Sequence, residues 1–348
     1  MEKFKIQNLV RPCIKELSPY SSARDEFTGI EKKMLFLDAN ENPFETGVNR
    51  YPDPQQRAIK SLLAVQKGVA PTNILLGNGS DEVLDLLFRA FCEPAVDNVI
   101  ILPPTYGMYK VLAGVNNVEN REVLLTLDFE PNASEILDIQ DKYSKILFLC
   151  APNNPTGNSF ATDTILELLN NFNGLVVIDE AYIDFSETQS WLTRLDEFPN
   201  LVITQTLSKA YGMAGIRLGI CYASSEIIAV LNKIKPPYNI SELTQQKALD
   251  RLLNINDVKN ELYLILNEKE RLYKVLLELN FVCKVYRSQT NFLLLKVDDA
   301  DKRYQELLTK GIVVRNRSKQ PLCKNTFRIT IGTEDENNQL IKALKELA

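Results

Sequence analysis

The sequence predicts an α/β protein: a large domain on a mostly parallel central sheet covered by helices, a smaller α/β domain, and an N-terminal arm. Short runs rich in Ile, Leu and Val alternate with segments whose apolar residues recur at helical spacing, the pattern of βαβ units. These runs are apolar at successive rather than alternate positions, as strands buried on both faces require. A third observation divides the chain: beyond Pro236–Pro237 the helical stretches become long and heavily charged. At 348 residues there is room for about two domains on the soft prior of roughly 150 residues each. The expected division is an arm over 1–45 that packs with the small domain, a large domain over 46–240 and a small domain over 241–348.

Along the chain, residues 1–45 hold Pro12, Pro19 and Pro43 with little periodicity, which suits an extended arm. Ile74–Leu76, Val99–Leu102, Ile146–Cys150, Leu175–Ile178 and Leu201–Thr204 are the expected strands of the large sheet. Between them, DEVLDLLFRAF (81–91) and ATDTILELLNNF (161–172) carry apolar residues at i, i+3, i+4 and i+7. Past the proline pair, amphipathic helices are expected over 242–253 and 257–279. A strand Phe292–Val297, a helix near 301–310, strands Ile312–Arg315 and Phe327–Ile331, and a terminal helix from about 334 complete the small domain.

Composition excludes several classes. Apolar residues at 45% and charged residues at 24% are globular averages, unlike disordered, collagenous or coiled-coil chains. The net charge of −5 comes without a basic stripe, so no nucleic-acid partner is expected. No apolar run approaches the roughly 18 residues of a membrane span, and MEKFKIQNLVRP lacks the apolar core of a signal peptide. Six scattered cysteines without CxxC spacing read as reduced thiols, and the expected location is cytoplasmic. The chain contains no histidine at all. That removes Ser-His-Asp and Cys-His nucleophiles, HExxH zinc sites and histidine general bases, and no metal centre is expected. Chemistry falls to Lys, Asp, Glu, Tyr, Cys or a borrowed cofactor.

Four segments could carry that chemistry, each at the carboxyl end of an apolar run. Gly77-Asn78-Gly79-Ser80 leads straight into a helix opening with Asp81 and Glu82, which suits an anion at the helix N-terminus and equally suits a capped βα turn. Asp179-Glu180-Ala181-Tyr182 follows Leu175–Ile178. An ionised Asp there needs a cation or several donors; a protonated ring nitrogen would serve, and so would a helix cap. Thr206-Leu207-Ser208-Lys209 places a lysine among small and apolar residues with Arg217 eight positions on, a setting for a nucleophilic amine and for phosphate contacts. Asn153-Asn154-Pro155-Thr156-Gly157 presents amides at a turn after Ile146–Cys150. A doubly wound sheet gathers such strand ends into one crevice. Read together, they offer a phosphate cradle, an acid for a ring nitrogen, donors for a ring oxygen and a Schiff-base lysine, the complement of pyridoxal 5′-phosphate.

GNGSDE, PPTY, NNPTG, DEAY and LSKAYGMAGIRLG, in this order over most of the chain, resemble the fold-type I aminotransferases that use pyridoxal phosphate. DEAYIDF (179–185), LDANENPF (37–44), RYPDP (50–54) and VVRNRS…FRITIGT (313–333) are similar to the subfamily that acts on histidinol phosphate in histidine biosynthesis. The resemblance implies that Lys209 binds the cofactor covalently, that Asp179 partners its ring nitrogen, and that Asn154 and Tyr182 donate to its phenolic oxygen. It implies that Tyr106 stacks on the ring, and that backbone at Gly79, Ser80 and Asp81, with Thr206, Ser208 and Arg217, holds the phosphate. Tyr51 of RYPDP then reaches the neighbouring subunit's phosphate, which makes the protein a homodimer. Arg315 and Arg328 take the anionic end of the substrates, glutamate or its product 2-oxoglutarate in one half-reaction and histidinol phosphate in the other, and Tyr20 closes over that end from the arm. Relatives that use aromatic amino acids or decarboxylate threonine phosphate share most of these motifs. A non-catalytic ligand sensor of this fold carries an N-terminal DNA-binding domain, for which there is no room before residue 30.

Overall fold

The computed structural model describes residues 5–19 and 35–347. Tyr20, expected to close over the substrate, lies outside the described residues. A short helix α1 (Pro12–Glu16) and α2 (Arg57–Lys67) precede the alternating core. That core runs β1 (Ile74–Asn78), α3 (Gly79–Phe91), β2 (Asn98–Ile101), α4 (Met108–Val115), β3 (Glu119–Glu122), α5 (Ala133–Ile139), β4 (Ser144–Cys150), α6 (Thr162–Asn171), β5 (Leu175–Asp179) and β6 (Leu201–Thr206). β7 (Leu218–Ala223) and α7 (Ser225–Ile234) close it, followed by α8 (Glu242–Leu253) and α9 (Ile255–Leu277). The remainder is β8 (Val282–Val285), β9 (Phe292–Val297), α10 (Ala300–Thr309), β10 (Arg315–Asn316), β11 (Thr326–Thr330) and α11 (Glu334–Lys345).

The large sheet has seven strands in the order β1-β7-β6-β5-β4-β2-β3. Only β7 runs against its neighbours, pairing antiparallel with both β1 and β6. The carboxyl ends of β1, β4, β5 and β6 therefore share one edge. Side chains alternate across the sheet. Leu75, Val99, Phe148 and Val177 pack under α3, α4 and α7 on one face. Leu76, Ile100, Leu147 and Ile178 pack on the other, against α2 and α6. Burial on both sides explains the unbroken apolar runs. The edge strand β3, Glu-Asn-Arg-Glu, carries no such run: Arg121 pairs with Glu119 and Asp141, and Lys110 with Glu122. The smaller sheet is antiparallel, ordered β10-β11-β9-β8.

Three expectations need correction. The arm is not merely extended, nor does its described part pack with the small domain: Ile6 and Val10 are buried in the large-sheet core, and Arg11 pairs with Glu93 beside α3. Those two apolar side chains find the surface of α3 and α7 before any other. The packing of the large domain also continues past residue 240. Ala248 and Leu252 of α8 belong to the large core, and Gln245 Nε2 donates to Asp53 and Ile240 carbonyls. The small core begins within α9, whose Val258 faces the large domain while Leu272 and Leu276 face the small one. Finally, Ile312–Val314 forms no strand, because Ile312 N–H closes the end of α10 on the Leu307 carbonyl; pairing starts at Arg315.

Candidate active site

One cavity at the shared carboxyl edge is lined by Ser80, Asp81, Tyr106, Asn154, Asp179, Tyr182, Thr206, Ser208, Lys209 and Arg217, with Cys150 and Ala181. Segments distant in sequence are thus brought together by topology alone.

At the turn from β1 to α3, Gly79 takes φ +76°, and its N–H donates to the Arg217 carbonyl at 2.9 Å. A Cβ on Gly79 would come within 2.5 Å of Arg217 Nη2, and one on Gly219 would overlap Ser80 N. Gly219 lets β7 close up on the backbone of the helix start, and Gly79 supplies the left-handed turn that leads into it. The N-cap residue Asn78 makes no side-chain capping bond to the 13-residue α3, and the Glu82 carboxylate takes up only the Asn78 N–H. The positive end of the helix therefore stays available to an anion. Opposite it, Ser208 N–H donates to Thr206 Oγ1 at 3.1 Å, and Thr206 Oγ1 lies 3.0 Å from Ser208 Oγ and 3.2 Å from the Leu218 carbonyl. Arg217, held at φ +56°, sits 3.7 Å from Asp81 Oδ2, too long for a hydrogen bond, so its fork is open to a further acceptor.

Asp179 ends β5, with 3% of its surface exposed. Its Oδ2 accepts from the Tyr109 hydroxyl at 2.7 Å and its Oδ1 from Ala181 N–H at 3.2 Å. Burial pushes its carboxyl above the ordinary value, and the two donors pull the other way. Among the described residues no cation pairs with it. A protonated ring nitrogen supplies the charge complement such a carboxylate lacks. Tyr106 stands edge-on to Tyr109 with ring centroids 5.5 Å apart, its hydroxyl donating to Asp81 Oδ1 at 3.0 Å.

Lys209 Nζ lies 5.7 Å from the Tyr182 ring centroid, both in the cavity lining. Its amine is lowered below the usual lysine value, first by partial burial and then by Arg328. Asn154 is buried in the cavity lining, and its Oδ1 accepts from Arg328 Nη1, so its remaining hydrogen-bonding group is the NH₂ donor. Its neighbour Asn153 ties the turn down, donating to Pro104 O at 2.9 Å and accepting from Thr105 Oγ1 at 3.0 Å. A helix start without an N-cap side-chain bond, hydroxyls, a buried carboxylate and a lowered amine in one cavity fit a phosphorylated pyridine aldehyde.

The remaining expected residues lie elsewhere. Arg315 and Arg328 face each other across the β10–β11 ladder and line a second, open cavity. Arg328 alone also reaches the first cavity. Tyr51 does not meet its own chain's site. It stacks on Tyr238 at 4.5 Å beside a separate hollow lined by Val48, Arg50 and Leu243. Sequence reasoning missed Tyr109 and Arg317, and singled out Asn153 only as part of its turn. Nothing in the sequence separates Tyr109 from a core aromatic. For Arg317 a signal existed, since two-residue spacing from Arg315 places both on one strand face.

The family model for aminotransferase class I and II matches residues 38–344. The chain is 64% identical over 348 residues to a histidinol-phosphate aminotransferase of Flavobacterium johnsoniae, with all of both chains covered. It is 63% identical over 347 residues to the enzyme of that name from Christiangramia forsetii, covering 100% of this chain and 99% of that one. Among solved structures, the histidinol-phosphate aminotransferase from Clostridium acetobutylicum matches with a TM-score of 0.80 over 86% of this chain and 91% of its own, at 24% identity, a likeness of fold.

Proposed function

The chain belongs to the class I and II aminotransferases, and from that premise we propose that it exchanges an amino group between L-histidinol phosphate and 2-oxoglutarate, giving imidazole acetol phosphate and L-glutamate, with pyridoxal 5′-phosphate as cofactor. The cofactor supplies an aldehyde to hold the amine and an electron-withdrawing ring to stabilise charge at the substrate α-carbon.

The chain's own residues orient and move protons. Ser80, Thr206, Ser208, Arg217 and the α3 backbone from Gly79 to Asp81 would hold the phosphate. Asp179 would keep the ring nitrogen protonated, while Tyr106 covers the ring face. Asn154, through its NH₂, and Tyr182 would meet the phenolic oxygen. Lys209 would carry the cofactor and, once displaced by the substrate amine, move the α-proton; burial and Arg328 make its amine easier to deprotonate than an ordinary lysine.

The observation that carries the substrate reading is the contact from Arg328 to Asn154. It places a guanidinium from the small domain beside the residue expected at the cofactor ring, so an anionic substrate end would lie next to the reacting carbon. The test is a panel of amino donors with 2-oxoglutarate. Histidinol phosphate is expected to outrun histidinol, aromatic amino acids and threonine phosphate. Equal use of histidinol and its phosphate would overturn the reading in favour of an aromatic aminotransferase.

We also propose a homodimer in which Tyr51 crosses to the partner's site. Val48 and Leu243 beside Tyr51 are more than half exposed, as are Leu37 and Phe44 in the preceding segment, apolar surface that a partner subunit would cover. Mixing inactive Lys209→Ala with a Tyr51→Ala variant should regenerate one intact site per mixed dimer; no recovery would place Tyr51 in its own subunit. All six cysteines are free, in keeping with a cytoplasmic location.

A further inference from the structure

Beyond Arg315 and Arg328, the small domain brings a third guanidinium close to both of them and to Tyr182 of the first cavity. Arg317 continues the β10–β11 ladder, its N–H donating to the Thr326 carbonyl at 2.8 Å. It therefore shares a face with Arg315, two residues earlier, and lies diagonally across the ladder from Arg328, which Arg315 faces directly. Its side chain is partly buried, and Nε is fully enclosed with no hydrogen-bond acceptor, as is Nε of Arg328. Among the described residues no carboxylate pairs with Arg315, Arg317 or Arg328. The neutralising candidates near Arg317 are Tyr182 and Cys323, and both are neutral near pH 7: burial raises the phenol, and lifts the thiol to about 11. Burial and the two neighbouring arginines lower the Arg317 guanidinium to about 10.

Three like charges gathered without an acid are costly, and an enclosed donor without an acceptor is costly again. Arg328, with its planar fork, suffices for a carboxylate. A phosphate monoester carries about −1.5 to −2 charges near neutral pH and three acceptor oxygens, so it can engage more guanidiniums than one.

We propose that Arg317 is a third anion-binding group of the substrate site, and that this added charge makes the site prefer a phosphate monoester to a carboxylate. The proposal rests on the substrate reading above, and its test separates the two. In cofactor-loaded enzyme, Arg317→Gln should lower kcat/KM for histidinol phosphate by roughly 30-fold, about 2 kcal/mol, and that for glutamate by roughly threefold at most. Dephosphorylated histidinol should be no worse a donor for the variant than for the wild type. Arg317→Lys, which keeps the charge without the fork, should recover part of the loss. As a readout apart from turnover, millimolar inorganic phosphate should raise the melting temperature of loaded wild-type enzyme more than that of Arg317→Gln. The variant should fold, since Arg317 leaves no protein acceptor behind. Equal losses with all three donors, or no loss with the phosphate ester, would overturn the proposal alone. A wild-type enzyme indifferent to the phosphate would overturn the substrate reading and this proposal with it.

Discussion

The two ends of the active-site region are finished differently. At the ends of β5 and β6 the polar groups have protein partners: Asp179 has two donors, Thr206 and Ser208 bond each other, and Asn153 pins the neighbouring turn. At the small-domain end, Arg315, Arg317 and Arg328 crowd together, and enclosed Nε atoms lack acceptors. Groups that serve every catalytic cycle in one position are held by the fold, as electrostatic preorganisation demands. The arginines proposed to take one anionic substrate after another are held mainly by their strands, with one bond from Arg328 to Asn154. Changes at the first end should therefore reduce the rate whatever the substrate, and changes at the second should act through binding.

Lys209→Ala is the largest test of this contrast, because Lys209 belongs to the first end yet faces the second. Turnover should fall by at least about three orders of magnitude with every donor, while the protein stays folded and retains cofactor non-covalently. Borohydride should fix the cofactor to the peptide holding Lys209 in wild type and fail in the variant. Turnover within about tenfold of wild type would sink the assignment. Asp179→Asn comes next: an amide cannot hold a ring nitrogen protonated, so kcat should drop by roughly two to three orders of magnitude, at about 1.36 kcal/mol per decade. Cofactor should still bind. A near-normal rate would reduce Asp179 to a local cap for Ala181.

Arg328→Gln probes the second end and should look different. Losing a charge-assisted contact in a partly buried setting costs on the order of 2–4 kcal/mol, and KM for glutamate and for the phosphate ester should rise together. Arg315 is exposed, so Arg315→Gln should move the same constants less. A fall in kcat with unchanged KM in either variant would erase the distinction between the two ends.

The same contrast decides what could be read from sequence. The cofactor side was legible because its polar residues interrupt apolar strands at one fixed place, the carboxyl end. Gly79–Asp81, Asn154, Asp179 and Thr206–Lys209 all stand there, and β1, β4, β5 and β6 appear close to their expected limits. β3 escaped notice because an edge strand of Glu-Asn-Arg-Glu has no apolar signature, and the Pro236–Pro237 turn marks a change of composition rather than of core. Ile6 and Val10 are two apolar residues in a polar stretch; only the surface of α3 and α7 shows where they go. Lone arginines on short strands give no sequence clue to which anion they meet, and the partner of a buried tyrosine is invisible until the fold supplies it.

That buried tyrosine gives the finest test. Tyr109 is fully enclosed, its ring stacked on Phe148 at 4.8 Å and edge-on to Tyr106, and its hydroxyl is one of the two donors holding Asp179. Tyr109→Phe keeps both ring contacts and removes only the hydroxyl, so folding should survive. The lost bond is to a buried carboxylate, worth on the order of 1.5 kcal/mol, which predicts roughly a tenfold fall in kcat with little change in KM. The sign of the pH effect follows from the same bond. Tyr109 pulls the Asp179 carboxyl down against the upward push of burial, so without it the carboxyl titrates at higher pH. Asp179 would then take up its proton nearer neutrality, and the acid limb of the pH–rate profile should move upward. The absorbance of bound cofactor should change with pH over the same shifted range. If Tyr109 only filled space, the variant would lose a little thermal stability and both pH curves would stay where they are in wild type.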